Sequence, residues 1–292
     1  MRPNDPETTS VFDEVSLCAA GFGLFLFSHL ELRSNLNILD LGCGTGFPLF
    51  ELAQVHGASC QVTGVDVWKQ GVEPARLKGA ISQCSNVRIL EADAAQLPFE
   101  DTIFDLIVSN LGVNNFSDPD AVFAECFRIV LTTNLMGHMS EFYAIFHQVL
   151  LELQISAFLE RLQVHEARRG TKEALSGRLQ TAGFRLSKMR EGRFHLRYLD
   201  GSAFFDHWLT KVGFLDDWRQ IVDPEEEVRV FALLEARLNQ MARASGELRL
   251  TVPMLYLEAE KSTVSSPNCV ADIVGGKFAD KKDQECPQPR RW

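Results

Sequence analysis

Asn37-Ile38-Leu39-Asp40-Leu41-Gly42-Cys43-Gly44-Thr45-Gly46-Phe47-Pro48 decides the fold. Ile38, Leu39 and Leu41 form an apolar run of the kind buried in a parallel strand. Three alternating glycines follow, then Leu49, Phe50, Leu52 and Ala53 at helical spacing. Strand, glycine turn and helix together make a nucleotide-sized pocket. The glycines let the backbone turn sharply and let a ligand come close to the main chain. The helix start offers unpaired N–H groups and the positive end of a dipole. Pro48 suits the first turn, where no N–H is needed.

Two ligand classes use such a turn. The dinucleotide fingerprint G-x-G-x-x-G would need a third glycine where this chain has Phe47. The spacing present is G-x-G-x-G, with Asp40 ahead of it. This run resembles motif I of the class I S-adenosylmethionine-dependent methyltransferases. The resemblance implies that Gly42, Gly44 and Gly46 pass beneath the amino-acid part of S-adenosylmethionine and that Asp40 helps hold its ammonium.

The chain has 292 residues, enough for one large α/β domain with additions, and 46% of them are apolar. A net charge of −10 argues against nucleic acid or an anionic membrane as partner, since both call for a basic face. The seven cysteines show no C-x-x-C, so reduced thiols in a cytoplasmic protein are expected. Asp5, Glu7, Asp13 and Glu14 are unlike a secretory or mitochondrial leader. The apolar stretch from Cys18 to Phe27 is too short to span a bilayer. The seven histidines have no close ligand spacing, so no metal is expected.

Residues 1–10 are polar and are expected to fray. Val11 to His29 predicts one or two helices, with Phe12, Val15, Leu17, Phe22, Leu24 and Phe27 packing on the sheet. After the glycine turn a helix runs to His56, stopped by Gly57. Cys60 to Asp66 predicts strand two. Asp66 lies 26 residues after Asp40 at a strand end, where an acid can accept both ribose hydroxyls. The resemblance puts Val67 against the adenine face. A helix over Glu73 to Cys84 and a strand from Val87 lead to Asp93 and Ala94, where the family has its adenine-edge contacts. Ile103 to Asn110 is strand four, apolar throughout its centre. The resemblance brings the methyl donor and the acceptor together at its end, near Asn110 and Leu111.

Ser109 to Phe116 lacks the Pro-Pro-aromatic run of enzymes that methylate nucleobase or glutamine amines. It looks more like the ubiquinone and menaquinone C-methylase-like branch (methyltransferase type 11). Asn114 and Asn115 are polar enough to orient an acceptor and are equally ordinary turn residues. Asp120 to Ile129 predicts a helix and Val130 to Asn134 strand five. The family normally places a basic-Pro-Gly-Gly turn between them, but here Arg128-Ile129 runs straight into Val130. An unravelled helix end or a displaced strand five is therefore expected. Ser140 is a candidate cap for a helix running to Arg169. His138 is the candidate base or acceptor-orienting donor, and Tyr143 a candidate substrate contact.

Thr171 starts a further helix that stops at Gly183. Phe184 to Leu199 holds strand six. Gly201 to Val222, rich in aromatics, is an insertion whose rings either line an acceptor pocket or close a small core. Asp223-Pro224-Glu225-Glu226 opens a helix to Gly246, and Glu247 to Glu260 is the last strand. Residues 262–292 read as a disordered tail.

The fold expected is α/β: a Rossmann-like, mostly parallel seven-stranded sheet with helices on both faces. A methyltransferase domain over 11–261 would carry a helical lid or insertion at about 138–222. The function implied is methyl transfer from S-adenosylmethionine to a small organic acceptor. Two alternatives stand beside it: a catalytically impaired protein that only binds the cofactor, and a nicotinamide-dependent oxidoreductase. The sequence leaves the acceptor and the oligomeric state open.

Overall fold

A computed structural model describes residues 17–100 and 103–261. The expectations for residues 1–10, Phe12, Val15 and 262–292 lie outside them. The elements are α1 (Leu17–Phe27), β1 (Asn37–Leu41), α2 (Leu49–His56), β2 (Gln61–Asp66), α3 (Lys69–Ser82), β3 (Val87–Glu91) and β4 (Leu106–Asn110). A 3-10 turn (Gly112–Asn114), α4 (Pro119–Glu125), β5 (Arg128–Asn134), α5 (Ser140–Glu152), α6 (Leu159–Ala167), α7 (Lys172–Thr181) and β6 (Phe184–Tyr198) follow. Three short helices, α8 (Gly201–Asp206), α9 (Trp208–Gly213) and α10 (Leu215–Arg219), precede α11 (Pro224–Ser245) and β7 (Leu248–Lys261).

The seven strands form one sheet in the order β3-β2-β1-β4-β5-β7-β6. β1 to β5 are parallel neighbours, and β7 runs antiparallel to both β5 and β6. Successive side chains of a strand face opposite sides, and the apolar residues here satisfy both. Ile38, Leu106, Val108 and Val130 join Leu49 and Leu52 of α2 in one core. Leu39, Leu41, Ile107, Ile129 and Leu131 join Phe123 of α4 and Leu179 of α7 in another. Asp40 shares the parity of Ile38, so it lies on the α2 side, within an apolar face.

β5 forms in place. The helix ahead of it ends at Glu125, four residues earlier than the sequence suggests, and Cys126 is already extended (φ −99°, ψ 139°). The helix end is the part that gives way. Ile129, Val130 and Leu131 pair in register with β4 and β7 and are completely or almost completely buried. That burial outweighs one more helical turn.

Other boundaries move as well. α3 begins at Lys69 rather than Glu73, and β4 at Leu106 rather than Ile103. Phe22 and Leu26 carry the inner face of α1, while Leu17 and Leu24 are exposed. The helix expected from Ser140 to Arg169 breaks after Glu152 into a 3-10 turn and α6. Ser140 is its first residue rather than its cap; Met139, at φ 53°, precedes it without a capping side chain. Thr171 does cap α7, accepting from Ala174 N–H at 3.1 Å. Asp223 makes no cap hydrogen bond and pairs instead with Arg161 at 2.9 Å.

β7 outruns β5. Its residues 254–260 pair with β5, while 248–253 pair only with β6 and extend past the carboxyl ends of the parallel strands. Leu248, Leu250 and Val252 of this ribbon are buried with Phe142 and Phe146 of α5, Phe204, Trp218 and the inner face of α11. Phe142 and Trp218 pack with ring centroids 4.2 Å apart. The aromatic insertion therefore mostly closes a third core, which holds helices above the strand ends.

Where β4 leaves the sheet, a side chain at Gly112 has no room. A Cβ there would lie 2.5 Å from Ser109 Oγ and 2.8 Å from the Leu41 carbonyl oxygen. Gly112→Ala is expected to lower unfolding stability by about 1–3 kcal/mol through overpacking. Urea unfolding monitored by circular dichroism measures it; an unchanged midpoint would mean that the turn moves aside freely.

Candidate functional site

The carboxyl ends of β1, β2, β3, β4 and β5 make one rim, the edge of an open sheet where ligands bind. The glycine turn is tied to the next strand: Gly42 and Cys43 N–H donate to the Val65 carbonyl at 2.9 and 3.2 Å. Gly44 N–H donates to Asp66 Oδ2 at 2.8 Å, and Trp68 N–H to Asp66 Oδ1 at 2.8 Å. Turn and acid are thus in direct contact on one rim. Lys78 Nζ holds the Thr45 carbonyl from α3 at 2.8 Å. Gly44 has φ +50°, and a Cβ built on it would meet nothing within 4 Å. The main chain there borders open space. Phe47, at the position of the missing third glycine, lays its ring against Gly23 of α1.

Asp40 is fully buried, and neither carboxylate oxygen has a hydrogen-bond partner among the described residues. Burial, and then the charge of Asp66, push its carboxyl up to about 8. A buried acid without partners is costly unless a donor or a cation completes it. Its position beside the glycine turn suits an ammonium, and the open space at Gly44 gives the rest of an amino acid somewhere to lie.

Further along the rim, Asp93 accepts from Ala95 N–H at 2.9 Å through Oδ1, which shapes its own turn. Ala94 is buried, and Val67 is 65% exposed. The β4 and β5 ends are joined: Thr132 Oγ1 donates to Asn110 Oδ1 at 2.6 Å, and Leu111 N–H to the Thr132 carbonyl at 2.9 Å. Leu111 takes φ 65°, which turns the chain away from the sheet. Asn114 receives Thr133 Oγ1 at 2.9 Å and donates to Asn134 Oδ1 at 2.5 Å. Asn115 is exposed.

Asn134 leads to His138. Its Nδ2 lies 3.4 Å from His138 Nδ1, and the His138 Nε2 is buried without a partner among the described residues. Burial and the nearby Arg169 charge lower the His138 pKa to about 3. The ring is neutral at physiological pH and a weak base. With Nδ1 accepting from Asn134, Nε2 carries the proton and is a donor. Tyr143 is buried in α5, its hydroxyl met by Trp218 Nε1 at 3.1 Å, His165 Nε2 at 3.1 Å and Arg169 Nη1 at 3.5 Å.

The predicted cofactor residues thus share the strand ends, and Asn114 and His138 are linked through Asn134. Sequence reading missed Asn134, Thr132 and Arg169. Arg169 stands beside Arg168 ahead of Gly170, an ordinary helix-end pattern, so no motif marks it.

Residues 32–154 match the family model described as a methyltransferase domain. The chain is 36% identical over 97 residues to a demethylmenaquinone methyltransferase of Lactococcus lactis, a match covering 33% of this chain and 38% of that one. It is 31% identical over 179 residues to human arsenite methyltransferase, covering 58% and 44% of the two chains. The matches therefore span less than half the length of either relative. Among solved structures, the YcgJ protein of Bacillus subtilis superposes with a TM-score of 0.54 at 17% identity, over 83% of this chain and 98% of that one. That likeness is one of fold.

Proposed function

We propose that this chain, a class I S-adenosylmethionine-dependent methyltransferase, moves the cofactor's methyl group to a small organic acceptor. The observation that carries the reading is the Asp40 carboxyl, unpartnered among the described residues, beside a glycine turn open at Gly44. In this proposal Asp40 and the turn over Gly42, Gly44 and Gly46 hold the amino-acid end. Asp66 accepts the ribose hydroxyls, Val67 covers the adenine, and Asp93 and Ala94 meet its edge. Asn110 and Leu111 border the reacting end.

S-adenosylmethionine supplies an activated sulfonium methyl, which leaves by in-line displacement. The protein's task is then to position the acceptor and exclude water. Asn114 and Asn115 are proposed to orient the acceptor, Tyr143 to border it with its ring rather than its engaged hydroxyl, and His138 to donate to it. The His138 pKa near 3 favours the donor role over that of base. β5 pairs with β7 along its whole length and with β4 from Ile129 to Thr132, which supports a complete rim rather than an impaired one. Phe47 closes the turn where a dinucleotide fingerprint needs glycine, and this disfavours a nicotinamide cofactor.

A relative that acts on arsenite makes thiols of interest. Cys43 and Cys126 are buried, and burial raises both thiols, Cys126 to about 12. Among the described residues no three His, Cys, Asp or Glu side chains gather as a metal-ion site. An organic acceptor is the better-supported reading. Likewise, no described helix is long and apolar enough to cross a membrane.

The test is formation of the demethylated cofactor, S-adenosylhomocysteine, when the chain is given S-adenosylmethionine and a panel of phenols, quinols, amines and organic acids. Asp66→Ala is expected to raise the Kd of S-adenosylhomocysteine about 10- to 100-fold, since hydrogen bonds to a charged acceptor contribute ~1.5–3 kcal/mol each. Titration calorimetry measures it, and an unchanged Kd would remove Asp66 from the site.

A further inference from the structure

Past the end of β5, a cleft of about 230 Å³ opens between the 136–140 loop and α6. Its walls include Met136, His138, Tyr143, Glu166 and Arg169. The cleft follows directly on the Asn114–Asn134–His138 chain at the rim. Two groups in it lack a counterpart. Among the described residues, Arg169 makes no ion pair. Its guanidinium lies 5.9 Å over the Phe214 ring and donates one long bond to Tyr143. The acid on the same wall, Glu166, is engaged by His147 at 2.7 Å. The second group is His138 Nε2, buried and, among the described residues, unpartnered. Tyr143 is saturated: Trp218 and Arg169 donate to its oxygen, and its proton is left for His165. His165, its pKa lowered to about 4 by burial and then by the Arg169 and Arg168 charges, is a neutral acceptor.

A half-buried guanidinium together with an idle N–H donor complements a carboxylate, and Arg suits such recognition through its planar fork. Met136 and the ring of Tyr143 supply apolar wall. A cavity of ~150 Å³ already admits benzene, so this one has room for one ring with substituents. We propose that the cleft is the acceptor subsite and takes a single-ring organic acid, its carboxylate against Arg169 and His138. This assignment rests on the methyltransferase reading.

The test is titration calorimetry on the full chain saturated with S-adenosylhomocysteine. The probes are benzoate, phenylacetate and 4-hydroxybenzoate, each beside its uncharged amide. At least one acid is expected to bind about tenfold or more tightly than its amide. Arg169→Gln should erase that difference while leaving the Kd of S-adenosylhomocysteine unchanged. If the chain binds S-adenosylhomocysteine and no acid exceeds its amide, or if Arg169→Gln keeps the preference, the proposal is overturned. Should Arg169→Gln fail to fold, the acid-to-amide ratio of the unmodified chain still decides. If S-adenosylhomocysteine itself does not bind, the methyltransferase reading fails. The same acid and amide titrations without it then judge the cleft separately.

Discussion

Gly44→Arg is expected to leave the chain folded and to weaken S-adenosylhomocysteine binding by about three orders of magnitude, ~4 kcal/mol. The two effects separate because of where a side chain at 44 would go. It would meet no atom within 4 Å, so no packed group must move. The residue would have to hold φ +50°, a left-handed conformation that costs a non-glycine residue ~1–2 kcal/mol. The arginine would then project into the open space proposed for the cofactor's amino-acid end. Asp66→Ala is a less clean probe, because Asp66 also holds the Gly44 and Trp68 amides and its loss loosens the turn. Gly44→Arg should lower the melting temperature modestly and abolish the calorimetric signal. Retained affinity in a folded Gly44→Arg chain would sink the placement of the cofactor over this turn.

Asp40→Asn is expected to act in opposite directions on stability and binding. Burial, and then Asp66, raise the Asp40 carboxyl to about 8 in the folded chain, against about 4 when unfolded. Between those values the folded state holds a proton that the unfolded state releases. Stability from this group therefore falls as pH rises from about 4 to about 8, and the loss is complete above that. Asparagine imitates the protonated acid and removes the slope. The variant should match its parent near pH 4 and exceed it at pH 9, on the order of a few kcal/mol. Thermal melts across that range measure the effect. Binding should move the other way, because an ammonium beside Asp40 favours the ionised form. The parent should release a proton on binding S-adenosylhomocysteine at pH 7, read from calorimetry in two buffers of different ionisation heat. Asp40→Asn should lose that release and bind about tenfold or more weakly. Equal melts at pH 9 together with equal affinity would mean that folding does not raise the Asp40 carboxyl and that it does not meet the cofactor.

Most of the sheet was legible because its signals are local. A parallel strand buried on both faces shows as an apolar run, continuous in the first half of β4 and the middle of β5 and broken in β1 only by Asp40. Gly42, Gly44 and Gly46 all take positive φ, as a tight turn after a strand requires. Asp66 ends β2 and Asp93 follows β3, so both arrive on the same rim by topology alone. The junction at Cys126 was harder. The sequence carries helical spacing through Ile129, and nothing local says that β4 and β7 are waiting on either side. The single helix expected over 140–169 failed for a related reason. Gln154, two residues past Glu152, takes a left-handed conformation (φ 59°), and the break there lets α6 fold back beside α5.

Taken alone, the order of residues determined the strand–turn–helix plan, the rim on which Asp40, the glycines, Asp66, Asp93 and Asn110 fall, and the class of cofactor they resemble. Those features repeat with the period of a strand or a helix, or lie within a few residues of one another. Tertiary structure alone decided that, among the described residues, Asp40 goes unpartnered and Arg169 meets Tyr143 without an acid of its own, and that Asn114 reaches His138 through Asn134. Each of these depends on side chains brought together from separate elements by packing. No periodicity along the chain encodes such a meeting.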